Sequence, residues 1–269
     1  MIEVKKVRTS TLEQFKAAGQ KFACLTSYDH MTAQIFDAAE IDVILVGDSA
    51  ADNSLGYTST LPITVEEMIP FGRAVAGSVK RALVVVDLPF GSYELSPAQA
   101  LENSIKIMKQ TGADAVKLEG GQARAETIET LVSNGIPVMA HLGFTPQSVN
   151  TLGGFKIQGR GEGHEALISD ALAVEGAGAF AVVLEMIPAQ LAGEISAKLR
   201  IPTIGIGAGA ATDGQILVWT DFAGLSSAKP RKFVRRFAEI GKTLEEAART
   251  YKEAVARGAF PSKENEFES

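Results

Sequence analysis

Polar side chains of the kind that perform chemistry stand at the ends of five short apolar runs in this 269-residue chain. The residues that share this position are Asp48, Asp87, Lys117 with Glu119, His141, and Glu185. Runs rich in Val, Ile and Leu and bounded by Gly or Pro are typical of strands buried on both faces, which occur almost only in parallel sheets covered by helices. Because the active sites of such folds lie at the carboxyl ends of the strands, the pattern predicts an enzyme.

Asp48 and Asp87 end consecutive predicted strands, so their carboxylates are expected to lie close together. Like charges so placed need a cation or a shared proton. Glu119, on the next strand, would complete a cluster of oxygen ligands, which suits Mg²⁺ far better than Zn²⁺. The alternative is that Asp48 and Asp87 only cap strand ends by binding loop amides. The convergence of all three carboxylates at one end of the sheet favours the metal.

Lys117 and Glu119 are two residues apart on one strand, so their side chains point to the same face. They form either a structural salt bridge or a place where the lysine holds a substrate carboxylate or phosphate. Ser49 offers a hydroxyl to the same anion.

Glu185 ends a strand whose own apolar run offers it no cation. A carboxylate in apolar surroundings is a stronger base, and a well-placed general base contributes about 10²- to 10⁴-fold in rate. The alternative is an ion pair with a lysine or arginine of another strand. His141 is compatible with three roles, which are ligating a metal, orienting a carboxylate and filling the mouth of the fold.

The elements that must position these residues alternate along the chain. Helices are expected to open at the Ser10/Glu13 and Thr64/Glu67 capping boxes and at Ser96 with Pro97. The long Gly-rich segment over 144–163 is too long for a simple connection and indicates a binding loop. Seven strands are predicted, over 22–27, 43–47, 83–87, 115–118, 137–141, 180–184 and 203–207.

The eighth strand is the weakest prediction. After a helix-like DGQILVW (213–219), only FAGLS (222–226) can serve as a strand, and helices over 233–240 and from a Thr243/Glu246 capping box would close the chain. Eight β-then-α units predict an α/β fold, a (β/α)₈ TIM barrel. We expect one domain over 1–269, with a short N-terminal helix and a C-terminal helical extension. A doubly wound sheet is the alternative, but TSYDH after the first strand is not its G-x-G-x-x-G.

The composition excludes several classes of protein. A net charge of −6 and a pI near 5.3 argue against nucleic acid as the main partner, and the basic segment Lys229 to Arg236 is interpreted as the solvated start of a helix. The single cysteine, Cys24, permits no internal disulfide, and the N-terminal sequence lacks a signal-peptide core, so we expect a cytoplasmic protein. No apolar run reaches the roughly 20 residues that span a bilayer.

Seven motifs resemble those of the ketopantoate hydroxymethyltransferase family, also called 3-methyl-2-oxobutanoate hydroxymethyltransferases. They occur in the family's order over nearly the whole chain, and HLGFTPQSVN alone is highly specific. The motifs are GDS (47–49), DLPFGSY (87–93), VKLEGG (116–121), HLGFTPQSVN (141–150), KIQGRG (156–161), LEMIP (184–188) and IGIGAG (204–209).

The resemblance implies a barrel of the phosphoenolpyruvate/pyruvate superfamily type, a Mg²⁺ cofactor, and a homodecamer. It implies the transfer of a one-carbon unit from 5,10-methylenetetrahydrofolate to 3-methyl-2-oxobutanoate, which gives 2-dehydropantoate and tetrahydrofolate in pantothenate biosynthesis. Carried over by motif, the site residues are Asp48 and Asp87 for metal and substrate, Glu119 for the metal, Ser49 and Lys117 for the 2-oxo acid, and Glu185 as the catalytic proton acceptor.

The chain departs from the family pattern at Pro70, Phe71 and Gly72 and at Thr220 and Asp221. None of these is a carried-over site residue, so we expect effects on loop and subunit contacts. A related lyase or mutase of the superfamily is one alternative, but such proteins carry a catalytic cysteine in a K-K-C-G-H type loop, which is missing here. A catalytically silent barrel is another, and the complete set of carboxylates argues against it.

Overall fold

A computed structural model describes residues 5–226 and 230–267 of the chain. The chain divides into two units, Met1–Val218 and Trp219–Ser269. In the first unit eight parallel strands form a closed barrel in chain order, which confirms the predicted (β/α)₈ fold class. The strands are β1 Phe22–Thr26, β2 Val43–Val46, β3 Leu83–Asp87, β4 Ala115–Glu119, β5 Val138–Gly143, β6 Ala181–Glu185, β7 Thr203–Ile206 and β8 Gly214–Leu217.

Helices follow the strands on the outside of the barrel. Two 3₁₀ turns, Gln122–Arg124 and Pro146–Ser148, lie in the loops after β4 and β5. The helices of the first unit are α1 Thr9–Ala17, α2 His30–Ala38, α3 Ala50–Asn53, α4 Val65–Ala76, α5 Pro97–Thr111, α6 Ala125–Ser133, α7 Val149–Leu152, α8 Gly163–Gly176 and α9 Ala189–Lys198.

The first seven strands lie within two residues of their predicted bounds. Every residue of β2, β3, β4 and β6 is buried, as expected for parallel strands with helices on one side and a filled barrel interior on the other. The predicted starts of α4 and α5 are also confirmed, because Thr64 Oγ1 accepts from Glu67 N at 3.2 Å and Ser96 Oγ accepts from Gln99 N at 3.2 Å.

The predicted capping box at Ser10 and Glu13 is wrong. Helix α1 already begins at Thr9, and Thr11 Oγ1 accepts from the backbone N–H of Arg8 at 3.0 Å. Ser10 therefore lies inside the first turn instead of preceding it.

The prediction for the eighth strand is also wrong. The strand is formed by Gly214–Leu217, within the segment that has helical spacing, and it pairs with both β7 and β1. FAGLS instead completes a helical turn, since Ala223 N donates to Trp219 O at 2.9 Å and Gly224 has a φ of +65°. Closing the barrel requires a last strand directly after β7, and this long-range pairing outweighs the local periodicity.

The second unit contains two helices, α10 Trp219–Phe222 and α11 Ile240–Ala256, and a 3₁₀ turn at Lys263–Asn265. The helix predicted over 233–240 is not formed, since 230–239 is irregular and α11 begins only at Ile240. Lys229 lies outside the described residues, and the basic segment after it does not start a helix. Thr243 does not cap α11, because it lies inside the helix and its hydroxyl bonds back to Glu239 O at 3.3 Å.

The departures at Pro70, Phe71 and Gly72 lie inside α4. A Cβ atom at Gly72 would come within 2.7 Å of Thr111 Cγ2, so the glycine permits close packing of α4 on α5. The ring of Phe71 packs edge-on against Tyr28, with ring centres 6.5 Å apart. None of the described helices combines the length and apolar character that crossing a membrane requires.

The register of the sheet brings the predicted chemistry together in pairs. Asp87 of β3 lies opposite Lys117 of β4, and Glu119 of β4 lies opposite His141 of β5. Glu185 of β6 pairs with Gly143. Because neighbouring parallel strands are about 4.8 Å apart, side chains paired in this way on the barrel interior are within hydrogen-bonding reach.

Candidate active site

Asp48 and Asp87 are in contact at the carboxyl ends of β2 and β3. The backbone N–H of Asp48 donates to Asp87 Oδ2 at 3.0 Å, and Lys117 Nζ lies 3.0 Å from Asp87 Oδ1. All three side chains are buried. The salt bridge expected as one alternative for Lys117 is therefore present, but with Asp87 of the neighbouring strand.

The two aspartates lie where ionisation is unfavourable. Burial raises the pKa of Asp48 to about 8, and the charges of Asp87 and Glu119 add to this effect against Lys117 and a hydrogen bond from Gln147. Burial also raises the pKa of Asp87, with Lys117 opposing it. Without a further cation this end of the site retains a proton, in keeping with the expectation that paired carboxylates need one or the other.

His141 lies between two carboxylates on opposite sides of its ring. Its Nδ1 is 3.2 Å from Glu119 Oε1 and 3.4 Å from Lys117 Nζ, while its Nε2 is 3.3 Å from Glu185 Oε2. Burial and Lys117 lower the pKa of His141, but the two carboxylates outweigh them and raise it to about 9. The raised pKa favours the imidazolium form of His141, which gives Glu185 an interstrand partner that its own apolar run lacks.

The groups around Glu119 favour its ionised form. Burial raises its pKa, but His141, Lys117 and the backbone N–H of Gln147 together lower it below its ordinary value. The last of these donates to Glu119 Oε2 at 2.9 Å. A row of charges thus runs across the strands, in which Lys117 pairs with Asp87 and the neighbouring His141 pairs with both Glu119 and Glu185.

Gln147 and Tyr93 belong to the same site, although sequence reasoning singled out neither of them. Gln147 Nε2 donates to Asp48 Oδ2 at 2.9 Å and to Leu88 O at 3.0 Å, and its Oε1 accepts from Tyr93 Oη at 2.5 Å. Both residues lie in motifs that carry the family resemblance. The only local signal was the long loop after β5, which indicated binding without identifying a residue.

Ser49 occupies the expected position next to Asp48, and its hydroxyl is 2.7 Å from that of the buried Tyr28. Since Phe71 packs on Tyr28, one of the departures from the family pattern lies two contacts away from Ser49.

The donor atoms at this end of the barrel suit a hard cation. Oδ1 of Asp87 and Oε1 of Glu119 are buried and have no hydrogen bond of good geometry. Both oxygens face a cationic side chain, Lys117 and His141 respectively, and carboxylate oxygens of this kind are the ligands that Mg²⁺ prefers. As the side chains stand, no three His, Cys, Asp or Glu residues in the described ranges form a ready ligand set, because Glu119 is turned toward His141.

Gly143 determines where the backbone of Glu185 can lie. Its φ is +91°, and a Cβ atom there would come within 2.2 Å of Glu185 O. The next residue, Phe144, donates its N–H to that same oxygen at 2.8 Å. The close approach of β5 to the end of β6 therefore depends on a residue without a side chain.

We expect Gly143→Ala to lower the free energy of unfolding by about 2–5 kcal/mol, from a left-handed backbone and a steric overlap together. Urea denaturation measures the loss. Gly135→Ala is the matched control, since Gly135 has a φ of +84° with no atom within 4 Å of the added Cβ. The control should lose only about 1–2 kcal/mol. Equal losses for the two variants would contradict the steric argument.

The family model for ketopantoate hydroxymethyltransferase matches residues 6–263. A 3-methyl-2-oxobutanoate hydroxymethyltransferase of Mycobacterium sp. (strain KMS) is 58% identical over 262 residues, which is 97% of this chain and 93% of that protein. One from Leifsonia xyli subsp. xyli (strain CTCB07) is 56% identical over 263 residues, 98% of this chain and 95% of that protein.

The chain belongs to the ketopantoate hydroxymethyltransferase family. It is an enzyme, and the family resemblance predicted from its motifs is confirmed. Membership in the ketopantoate hydroxymethyltransferase family also excludes the lyase or mutase alternative, because relatives over half identical along nearly the full chain carry the transferase activity.

Solved structures with the same fold are much more distant in sequence. Phosphonopyruvate hydrolase matches with a TM-score of 0.64 at 13% identity, covering 98% of this chain and 92% of its own. 2,3-Dimethylmalate lyase, described as a PEP mutase/isocitrate lyase superfamily member, matches with a TM-score of 0.60 at 15% identity, covering 97% and 91%. At such identities the likeness extends to the fold alone, the closed parallel β/α barrel.

Proposed function

We propose that this enzyme transfers the one-carbon unit of 5,10-methylenetetrahydrofolate to 3-methyl-2-oxobutanoate, giving 2-dehydropantoate and tetrahydrofolate. The substrate class follows from the activity of its relatives. The observation that carries the proposal is the arrangement of the site, in which the buried Glu185 is separated from the Asp48 and Asp87 pair by two buried cationic side chains. A base and an acidic pair able to bind a metal, at opposite ends of one group of buried charges, suit proton removal next to a 2-oxo acid.

Asp48 and Asp87 would hold Mg²⁺, and Glu119 is proposed to contribute from the next strand. When bound, Mg²⁺ supplies a positive charge that stabilises the negative charge developing on the 2-oxo acid as C3 loses its proton. Proteins usually bind this ion through one or two carboxylates and leave the remaining positions to substrate and water.

Lys117 and Ser49 are proposed to bind the 2-oxo acid. The ammonium of Lys117 lies beside Asp87, and the carboxylates around it raise its pKa despite its burial, so it stays charged. A substrate carboxylate can share this charge with Asp87, and the Ser49 hydroxyl can donate to the same anion.

Glu185 is the proposed base. A carboxylate oxygen of Glu185 takes the proton from C3 of 3-methyl-2-oxobutanoate, and the electron pair of the C–H bond passes into the enolate. C3 of the enolate then attacks the methylene carbon of the folate in its iminium form, which makes the new C–C bond. Water then forms a bond to that carbon as its C–N bond breaks, the electron pair stays on the folate nitrogen, and a proton of the water passes to that nitrogen. This leaves the hydroxyl group on the product and releases tetrahydrofolate.

Of the three roles that the sequence left open for His141, we propose the orienting of carboxylates. Its imidazolium lies between Glu119 and Glu185 and holds both side chains in place. A hydrogen-bonding partner 3.3 Å from the proposed base holds its carboxylate oxygen in one position.

The direct test of the proposed function is formation of 2-dehydropantoate from the two substrates, followed by mass spectrometry. We expect turnover to disappear when the enzyme is treated with a chelator and to return with added Mg²⁺, because the developing charge is then no longer stabilised. Ca²⁺ added at the same concentration is the control, since its larger size and longer ligand distances make it a poorer fit. Full turnover of the chelated enzyme would contradict the metal role.

Three further features stay predictions, namely the homodecamer, the cytoplasmic location and the reading of residues 1–269 as one domain. The homodecamer is tested by sedimentation velocity, in which a single species of ten subunits is expected.

A further inference from the structure

Gln147 connects the loops that follow β2, β3 and β5 inside the site. Its side chain is 6% exposed, and both amide hydrogens are used, one by Asp48 Oδ2 and one by Leu88 O. Its backbone N–H separately donates to Glu119 Oε2. One residue of the β5 loop thus contacts two of the three carboxylates that are proposed to bind the metal.

Tyr93 fixes which way the Gln147 amide faces. Leu88 O can only accept a hydrogen bond, so the amide nitrogen must face it. Tyr93 Oη accepts from Glu119 N at 3.2 Å and therefore directs its own proton to Gln147 Oε1. The opposite orientation of the amide would place its oxygen against a carboxylate and a carbonyl, with no hydrogen for either.

The orientation of Asp48 depends in turn on Gln147. Gln147 is a side-chain donor bonded to the Asp48 carboxylate, and the ammonium of Lys117 is paired with Asp87 instead. Among the side-chain hydrogen bonds of the described residues, the one from the Gln147 amide is the one that fixes the rotation of the Asp48 carboxylate about its Cβ–Cγ bond. Groups that orient a metal ligand typically contribute about 10- to 100-fold to metal affinity.

We propose that Gln147 is a positioning residue that orients Asp48 for Mg²⁺, and that Tyr93 positions Gln147. The inference rests on the proposed function, because it takes Asp48 to be a metal ligand. It adds a role for two residues that make no contact of their own with the reacting atoms.

The test is the affinity of the full-length chain for Mg²⁺ alone, measured by isothermal titration calorimetry without either substrate. We expect Gln147→Met, which keeps the length of the side chain, and Tyr93→Phe, which removes one oxygen, each to weaken Mg²⁺ binding about 10- to 100-fold. Both substitutions act through the same amide. The Mg²⁺ affinity of the double variant should therefore be no more than about 2-fold below that of the single variant with the lower affinity.

Matched controls separate positioning from general damage. Gln122→Met makes the same chemical change at an exposed residue of the loop after β4, and Tyr57→Phe removes a tyrosine hydroxyl that bonds Glu67 outside the site. Both controls should bind Mg²⁺ as the wild type does. Circular dichroism establishes which variants are folded at the temperature of the titration.

Each outcome of the titrations decides one question. If the wild type binds Mg²⁺ and the folded variants bind it equally well, the positioning role is wrong while the proposed function stands. If the wild type fails to bind Mg²⁺, the metal role of Asp48 is wrong, and so is the positioning role of Gln147 and Tyr93. If Gln147→Met does not fold, Tyr93→Phe decides, since it retains the aromatic ring and all of its packing.

Discussion

Replacing Glu185 by Gln is expected to lower the rate of proton exchange at C3 of 3-methyl-2-oxobutanoate by about 10²- to 10⁴-fold, the usual contribution of a positioned general base. The amide has nearly the size of the carboxylate and can still occupy its place beside His141 Nε2, but it cannot accept the proton. Exchange is followed by NMR in D₂O with Mg²⁺ and without folate, so that only the first chemical step is observed.

Glu194→Gln is the control for this experiment. Glu194 is a half-exposed carboxylate of α9 that pairs with His164 at 3.0 Å, so the substitution removes the same charge and a similar histidine contact away from the site. The control should exchange at the wild-type rate. Wild-type exchange by Glu185→Gln would show that another group is the base.

Lys117→Met is expected to have the largest effect on stability. Asp87 would lose its cation while staying buried, and removing one partner of a buried ion pair costs about 3–5 kcal/mol. The pKa of Asp87, already raised, would rise further once Lys117 is gone. At low pH Asp87 of the variant takes up a proton and no longer carries an unpaired charge. The loss in free energy of unfolding should therefore be small near pH 5 and should grow toward pH 8.

The same variant should weaken binding of the 2-oxo acid. A hydrogen bond between charged groups is worth about 1.5–3 kcal/mol, so KM for 3-methyl-2-oxobutanoate should rise about 10- to 100-fold. Urea denaturation of the metal-free protein at several pH values and steady-state kinetics measure the two effects.

Lys106→Met serves as the control because Lys106 pairs with Glu66 on the surface, where the side chains are 36% and 67% exposed. An exposed pair contributes at most about 1 kcal/mol, and KM should not change. If Lys117→Met were no less stable than Lys106→Met at pH 8, the pairing of Lys117 with Asp87 would not hold the site together.

The sequence by itself determined the fold class, the first seven strands, the family and the placement of the charged residues at strand ends. These properties depend on local signals, since an apolar run of strand length identifies a buried strand and the residue that ends it lies at the mouth of the barrel. The starts of α4 and α5 were predictable for the same reason, because a capping side chain bonds to amides only three residues away.

Only the tertiary structure decided the last strand, the partner of Glu185 and the contacts of His141, Gln147 and Tyr93. Gly214–Leu217 forms β8 because it pairs with β1 on one side and with β7 on the other. The local spacing of apolar residues does not predict these long-range pairs. His141 meets Glu119 because the register of β4 and β5 pairs the two residues, and its Nε2 also reaches Glu185, which lies two residues further along β6 than the register partner of His141. Such contacts join residues 22 to 99 positions apart, and only closure of the barrel brings them within hydrogen-bonding distance.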